Sequence, residues 1–427
     1  MSSIAIRGLR PLQGQIAVQG SKNAVLPMMA ACVLHKGTTI IHNVPRIQDV
    51  FCMMGILTSL GCDCALEGHR LEIHAEGLSG CSVSREEMEQ MRSSIMLLGP
   101  LLGRCREAAV YDPGGCRIGE RPIDLHLMAL KALGAEVKEA SPLRIQCGRL
   151  RGAEISFPYP SVGATENAVF AAVAAEGTTV LTGCAREPEI KELCLFLNEM
   201  GASVRGGGTS RIVIEGGRPL HDLEYTVAGD RIVAGTYLLA ATGAGGGLTL
   251  TGMKSGELRA VTSVLREMGA AVREEEKLLC LSAKSSQGGE KGSGRLLGTS
   301  VTTGPYPGFP TDLQSVMMAV MCLAEGESRI EETVFENRFR TAGELKQMGA
   351  RIEIKGNTAL IRGTKRLTGA SVEAQDLRGG AALAAAALCA EGTTVIGSCE
   401  HILRGYEDIV RDLRMIGAEI CYLQPKK

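Results

Sequence analysis

Leu130-Lys131-Ala132-Leu133-Gly134-Ala135-Glu136-Val137 carries the pattern that decides the fold: Leu, two residues, an aliphatic, Gly, a small residue, one residue, then usually another aliphatic. The pattern recurs from Leu57 to Cys64, Leu197 to Val204, Leu265 to Val272, Leu345 to Ile352 and Leu413 to Ile420. Each copy reads as the last turn of a helix, a Gly in the left-handed conformation that stops it, and a strand two residues later. Successive glycines stand 73, 67, 68, 80 and 68 residues apart. Such intervals are too long for a solenoid repeat and fit a small α/β unit, so six units are expected. The longest interval contains Ser282 to Gly294, a polar Gly/Ser-rich stretch with the composition of a surface loop.

A second signature, Gly-Thr-Thr followed by two aliphatics, occurs at Gly37, Gly177 and Gly392 after Ala/Leu-rich stretches, and marks another helix-to-strand junction. About 70 residues hold two helices and four strands, giving βαβαββ-type units that bury their helices in threes. Two α/β domains of three units each follow, with their boundary between the third copy, ending near Val204, and the fourth, whose helix begins near Asp230.

With 427 residues, the chain is too long for one core. At 45% hydrophobic and 22% charged residues it is not disordered. A net charge of -1, no Trp and only seven each of Tyr and Phe exclude a nucleic-acid surface. No segment has the roughly 20 apolar residues of a membrane helix, and the N-terminus is unlike a signal peptide, so a cytoplasmic protein off the membrane is expected. The apolar run Ala381 to Ala390 reads instead as a packed helix. Fifteen cysteines without Cys-x-x-Cys pairs or nearby His point to buried thiols in a reducing compartment, with no metal site.

Chemistry concentrates at helix entrances. Asp112-Pro113-Gly114-Gly115-Cys116-Arg117-Ile118-Gly119-Glu120-Arg121-Pro122-Ile123-Asp124-Leu125-His126 reads as a Gly-rich loop before a helix, with Pro122 suited to the first helical position and Asp124 to the first turn. Arg117 and Arg121 flank Cys116 and favour its thiolate, which sets this cysteine apart from thiols that only pack. Ser21-Lys22-Asn23 places Ser21 as an N-cap and a cation in the first turn, where the helix dipole disfavours it unless an anion is near. Arg92, Arg338, Arg378 and Arg404 stand at other junctions; each alone reads as a surface ion pair, while several converging with Lys22 would grip a small polyanion. Thr311-Asp312 opens a helix after Tyr306-Pro307-Gly308-Phe309-Pro310, as a capping pair or as a general base. Asp230-Arg231 looks like another helix entrance, and no P-loop or dinucleotide fingerprint is present.

These motifs, in this order along essentially the whole chain, resemble the UDP-N-acetylglucosamine enolpyruvyl transferase family: Ser21-Lys22-Asn23, Pro113-Gly-Gly-Cys116, Arg121-Pro-Ile-Asp124, Phe309-Pro-Thr-Asp312, Phe335-Glu-Asn-Arg338 and Asp376-Leu-Arg378. The resemblance implies two inside-out α/β-barrel, prism-like domains, one over 22–229 and a second over 230–427 that the first strand joins by way of 1–21, with the active site in the cleft between them. It implies enolpyruvyl transfer from phosphoenolpyruvate to the sugar 3-hydroxyl, with release of phosphate. Cys116 is then the general acid toward the methylene carbon, and Asp312 the base toward the 3-hydroxyl. Lys22, Asn23, Arg121, Arg338, Arg378 and Arg404 hold phosphoenolpyruvate, with Lys22 and Arg404 among the catalytic groups. Asn23, Arg92, Arg121, Pro122, Ile123, Asp124, Leu125, Ser161, Val162, Gly163, Asp312 and Val334 contact the sugar nucleotide. No cofactor, metal or obligate protein partner is implied.

Gln48, Tyr159 and Met96 depart from lysine, lysine and tryptophan found in relatives, which touches peripheral contacts and not the chemistry. Enolpyruvyl transfer to shikimate 3-phosphate on the same fold is the alternative reaction, disfavoured by the Cys116 loop. A non-catalytic paralogue that only binds the sugar nucleotide is the alternative outside enzymology.

Overall fold

The computed structural model describes residues 3–111, 119, 122–140, 142–282 and 296–423. They divide into two compact units, one containing residues 3–19, 119 and 229–423, the other residues 20–111 and 122–228. Most of the Gly/Ser-rich stretch that begins at Ser282 lies outside the described residues.

All six glycines of the repeated pattern adopt positive φ, from 90° at Gly269 and Gly349 to 108° at Gly201. A side chain is strained there, so glycine both ends the helix and turns the chain into the next strand. In five copies that strand begins two residues later, and at Val272 three residues later. The Gly-Thr-Thr junctions are less uniform, since Gly177 and Gly392 have positive φ while Gly37 does not.

The third repeat shows the unit in one piece. Strand Glu154–Ser156 leads through helix Val162–Ala174 to strand Thr178–Thr182, then through helix Pro188–Glu199 to strands Ser203–Arg205 and Arg211–Glu215. The first two strands pair in parallel, with Ile155 opposite Leu181; the others pair antiparallel, with Val180 opposite Val213 and Val204 opposite Ile214. Leu181, Ile212 and Ile214 alternate inward and are fully buried, the period-2 pattern of a half-buried sheet.

Six four-stranded sheets with this order are present among the described residues. Three of them borrow a strand. Leu223–Thr226 runs parallel to Thr38–His42 and completes the first repeat. Gln13–Ala17 runs parallel to Gly247–Thr251 in the fourth, and Ser3–Arg7 lies between Thr393–Gly397 and Glu419–Leu423 in the sixth.

Each unit buries three helices almost completely: Lys22–Ala31, Leu98–Cys105 and Val162–Ala174 in one, and Arg231–Gly243, Gln314–Met321 and Leu377–Leu388 in the other. Their sequences are mostly Ala, Val, Leu and Met, and a helix so largely apolar has little face to offer water; the last turn of Leu98–Cys105, which carries Arg104, is half-buried. The second helix of each repeat buries a single stripe, as Val50, Met53, Ile56 and Leu57 do in Gln48–Ser59. Helices inside and sheets outside give two inside-out α/β domains, and the run Ala381 to Ala390 supplies the last internal helix and the start of a short strand.

Candidate active site

In the unit of residues 20–228, Lys22 is the first residue of its buried helix, and Ser21 precedes it in extended conformation at φ −72° and ψ 118°. The Ser21 hydroxyl does not make the expected capping bond, and its Oγ is buried without a hydrogen-bond partner among the described residues. The anion expected beside Lys22 is Asp49, whose Oδ2 lies 2.6 Å from Nζ. Asp49 is the second residue of helix Gln48–Ser59, where a carboxylate also suits the helix dipole. Asn23 beside Lys22 is half-buried.

Arg92 opens a 3₁₀ turn over Arg92–Leu97 and is half-buried. Asp124 is itself the first residue of helix Asp124–Ala132, so Pro122 lies two residues before the helix and not at its first position. Pro122 and Asp124 are exposed, Ile123 and Leu125 half-buried. Ser161 caps helix Val162–Ala174 by accepting from the Ala164 N–H at 3.4 Å, and Ser161, Val162 and Gly163 are all half-buried. Gln48 and Tyr159 are exposed and Met96 is buried, so the three departures from the family fall in different environments. Cys116 and Arg121 lie outside the described residues.

In the unit of residues 229–423, Asp312 is gripped on both oxygens. Arg338 Nη2 donates to Oδ1 at 2.5 Å, and Arg378 Nη2 donates to Oδ2 at 2.8 Å. Neither arginine is a surface ion pair: their side chains are 4% and 8% exposed, against 28% for Asp312. Asp312 caps nothing, because it sits inside a 3₁₀ turn, Thr311–Leu313, whose cap position is Pro310. The capping role belongs to Asp376, whose Oδ1 accepts from the N–H groups of Arg378 and Gly379 at 2.9 Å and fixes the helix turn that carries Arg378. Asp230 does the same for Ile232 and Val233, which confirms its reading as a helix entrance.

Other supports were not legible as site residues in the sequence. Buried Glu332 accepts from the Val334 and Phe335 N–H groups with Oε1 and from the Thr311 hydroxyl with Oε2, tying the Val334 turn to the Asp312 turn. The phenol of Tyr406, fully buried and two residues after Arg404, lies 2.7 Å from the Thr236 hydroxyl and bears on Arg378. Burial opposes the charge of Arg378, but Asp312, Tyr406 and Asp230 more than offset it, so the guanidinium stays protonated. Arg404 ends the 3₁₀ segment Cys399–Arg404 and is half-buried. The local signal for Glu332 and Tyr406 is only their nearness in sequence to motif residues.

Among the described residues, no group of three or more His, Cys, Asp or Glu could hold a metal ion, and no helix is long and apolar enough to cross a membrane. The fourteen described cysteines are free thiols. Several are forced into their neutral form by burial, with Cys32 and Cys389 pushed up to about 12.

The chain is 45% identical over 421 residues, covering 98% of it and 99% of the relative, to UDP-N-acetylglucosamine 1-carboxyvinyltransferase 2 of Caldanaerobacter subterraneus. It is 47% identical over 420 residues, covering 96% and 92%, to UDP-N-acetylglucosamine 1-carboxyvinyltransferase 1 of Symbiobacterium thermophilum. It belongs to the enolpyruvyl transferase family. The family model described as EPSP synthase (3-phosphoshikimate 1-carboxyvinyltransferase) matches residues 6–413. In fold, this enolpyruvyl transferase is similar to NikO from Streptomyces tendae, with a TM-score of 0.85 at 23% identity over 99% of both chains. It is also similar to EPSP synthase from Acinetobacter baumannii, with a TM-score of 0.76 at 19% identity over 99% and 100% of the chains.

Proposed function

We propose that this enolpyruvyl transferase moves the enolpyruvyl group of phosphoenolpyruvate to the 3-hydroxyl of UDP-N-acetylglucosamine and releases phosphate, the first committed step of peptidoglycan synthesis, in the cytoplasm. The observation that carries the choice of acceptor is the 43–47% identity, over nearly the whole chain, to enzymes named for that sugar nucleotide.

In this reading the 3-hydroxyl oxygen adds to C2 of phosphoenolpyruvate while its proton passes to Asp312, and Cys116 protonates the methylene carbon. The resulting tetrahedral ketal then loses phosphate from C2 and a proton from C3, which restores the double bond as an enol ether. Arg338 and Arg378 hold the Asp312 carboxylate by both oxygens, so the base is oriented before substrate arrives. Lys22, Arg121 and Arg404 are the anion clamps, supported by Arg92, Arg338 and Arg378; fixed positive charge favours an anion whose charge shifts during addition and loss of phosphate. Asn23, residues 121–125, Ser161, Val162, Gly163 and Val334 make the acceptor contacts. The sugar nucleotide binds first and phosphoenolpyruvate second.

The test is phosphate release from phosphoenolpyruvate with UDP-N-acetylglucosamine and shikimate 3-phosphate offered separately. Release with the sugar nucleotide alone is expected. Release with shikimate 3-phosphate, or with neither, overturns the proposal.

A further inference from the structure

Tyr406 stands two residues after Arg404 and is fully buried, one of the largest side chains in the core. Its backbone is pinned on both sides: the Gln19 amide donates from Nε2 to the Gly405 carbonyl at 3.0 Å and accepts from the Glu407 N–H with Oε1 at 2.8 Å. Gly405 lets this segment come up against the residue before Arg378, since a Cβ built there would stand 2.8 Å from Leu377 Cδ2. The Tyr406 N–H donates to the Ile402 carbonyl at 3.0 Å, and the ring lies tilted at 60° to that of Tyr237, with centroids 6.2 Å apart. The phenol therefore has a fixed place in the core, which leaves only its hydroxyl proton a choice of direction.

Its partners decide that direction. Thr236, 2% exposed on helix Arg231–Gly243, gives its own hydroxyl proton to the Ile232 carbonyl at 3.0 Å. It meets the Tyr406 oxygen at 2.7 Å with only lone pairs left, so the phenol is the donor of that bond. Having spent its single proton on Thr236, the phenol can offer Arg378 nothing but lone pairs, and a guanidinium, which carries donors only, can use nothing else. The two requirements agree. Burial raises the phenol above its ordinary value against the pull of the Arg378 charge, so it keeps the proton. Protons thus point one way along a buried chain from Arg378 to Tyr406, to Thr236, to the Ile232 carbonyl, while Arg378 Nη2 donates to Asp312 Oδ2 at 2.8 Å.

We propose that Tyr406 is a positioning residue for the base: its phenol oxygen, turned toward Arg378 by Thr236, holds the guanidinium at the angle from which it orients Asp312. The inference rests on the proposed role of Asp312. A buried guanidinium has five N–H donors on a long stem, and one carboxylate oxygen neither satisfies them nor fixes their plane. Asp376 fixes the backbone from which Arg378 starts, Asp312 takes one terminal nitrogen, and Tyr406 supplies the third point, which sets the guanidinium plane.

The experiment is a double-mutant cycle on the full-length protein: wild type, Tyr406→Phe, Thr236→Val and the two combined, with Thr236→Ser as the conservative variant and Asp312→Asn as the reference for the base, each checked for native circular dichroism. Turnover is read as phosphate release, and binding of UDP-N-acetylglucosamine by calorimetric titration. Tyr406→Phe is expected to lower kcat about tenfold and Thr236→Val about three- to tenfold, while the dissociation constant of the sugar nucleotide stays within about twofold. Because Thr236 acts only through the phenol, Thr236→Val added to Tyr406→Phe should cost nothing further, and Thr236→Ser, which keeps the hydroxyl, should turn over within about twofold of wild type. Thr236→Val reads the chain from its other end, so it decides the matter where Tyr406→Phe does not fold. Wild-type turnover in a folded Tyr406→Phe or Thr236→Val, additive losses in the double variant, a loss carried by weakened sugar-nucleotide binding, or a Thr236→Ser as slow as Thr236→Val overturns the proposal. Asp312→Asn that turns over like wild type overturns the reading of the base and this inference with it, whereas a slow Asp312→Asn beside an unaffected Tyr406→Phe overturns this inference alone.

Discussion

Lys22 Nζ lies 2.6 Å from Oδ2 of Asp49, joining the first residue of one helix to the second residue of the next across a nearly dry contact. An ammonium at a helix N-terminus opposes the helix dipole, and the carboxylate of Asp49 compensates it. Asp49 therefore sets where Lys22 points before any substrate arrives. Asp49→Asn should cost about 1–3 kcal/mol of stability, because a hydrogen bond to a charged partner is weakened in a buried setting. The same variant should raise KM for phosphoenolpyruvate severalfold. Thermal denaturation and steady-state kinetics check both effects, and an unchanged KM would separate Asp49 from the proposed clamp.

Arg338 and Arg378 each donate through Nη2 to one oxygen of Asp312 from a buried position. Arg378→Lys should fold, since Asp376 still caps the helix. Its kcat/KM should nevertheless fall by about 10²-fold, reflecting a base misplaced by a shorter-reaching, differently shaped cation. Asp312→Asn should bind sugar nucleotide and release phosphate at a rate at least ~10³-fold lower, as loss of a general base implies. Comparable turnover in Asp312→Asn would exclude it as the base.

Cys116 should be the thiol that the epoxide fosfomycin alkylates. The buried thiols Cys32, Cys62, Cys184, Cys194, Cys322 and Cys389 are all raised by desolvation and hold little thiolate at neutral pH. Peptide mass spectrometry after incubation with fosfomycin is expected to find the adduct on Cys116. An unmodified Cys116 would contradict the family resemblance at its most specific residue.

Glu166 is a buried carboxyl pushed up to about 8 by desolvation and by its neighbours Glu189 and Glu187. Between the ordinary glutamate value of 4.5 and about 8 the folded chain binds a proton that the unfolded chain has released. Stability from this group therefore falls as pH rises through that window. Glu166→Gln should remove the fall, so the gap in melting temperature between variant and wild type should widen in the variant's favour from pH 5 to pH 8.5. Parallel curves would place the proton elsewhere.

The N-terminal strand Ser3–Arg7 is central in its sheet, with Ile4 and Ile6 fully buried. Ile6→Ala should destabilise by about 2–4 kcal/mol through the cavity it leaves. Removing residues 1–8 should abolish cooperative unfolding of the unit that contains 229–423. Retention of a wild-type melting transition by the truncated chain would show that the strand is dispensable.

Six Leu-x-x-aliphatic-Gly copies were enough to read six α/β units from the sequence, because helix termination by a left-handed glycine is a local event and every one of those glycines has the predicted φ. The internal helices were legible for a similar reason, since an all-apolar stretch can only be buried. Borrowed strands were a different matter. That Leu223–Thr226 pairs with Thr38–His42, and Gln13–Ala17 with Gly247–Thr251, depends on which sheet edge lies nearest in space. A strand of four or five residues carries no label for an edge more than 180 residues away.

The site divides along the same line. Motif order drew attention to Lys22, Arg338, Arg378 and Asp312, and local rules placed Asp230 at a helix entrance. Local rules misplaced Pro122, made Ser21 a hydrogen-bonding cap and offered Asp312 as one, since a cap is judged on sequence neighbours while the actual partners come from other elements. Asp49 for Lys22, two arginines for Asp312, Glu332 for the Val334 turn and Tyr406 for Arg378 were decided by the tertiary structure alone. The sequence determined which groups carry charge and where the six repeat helices end. Packing decided which of those groups lose water together, and desolvation makes an ion pair out of residues that would otherwise be solvated independently.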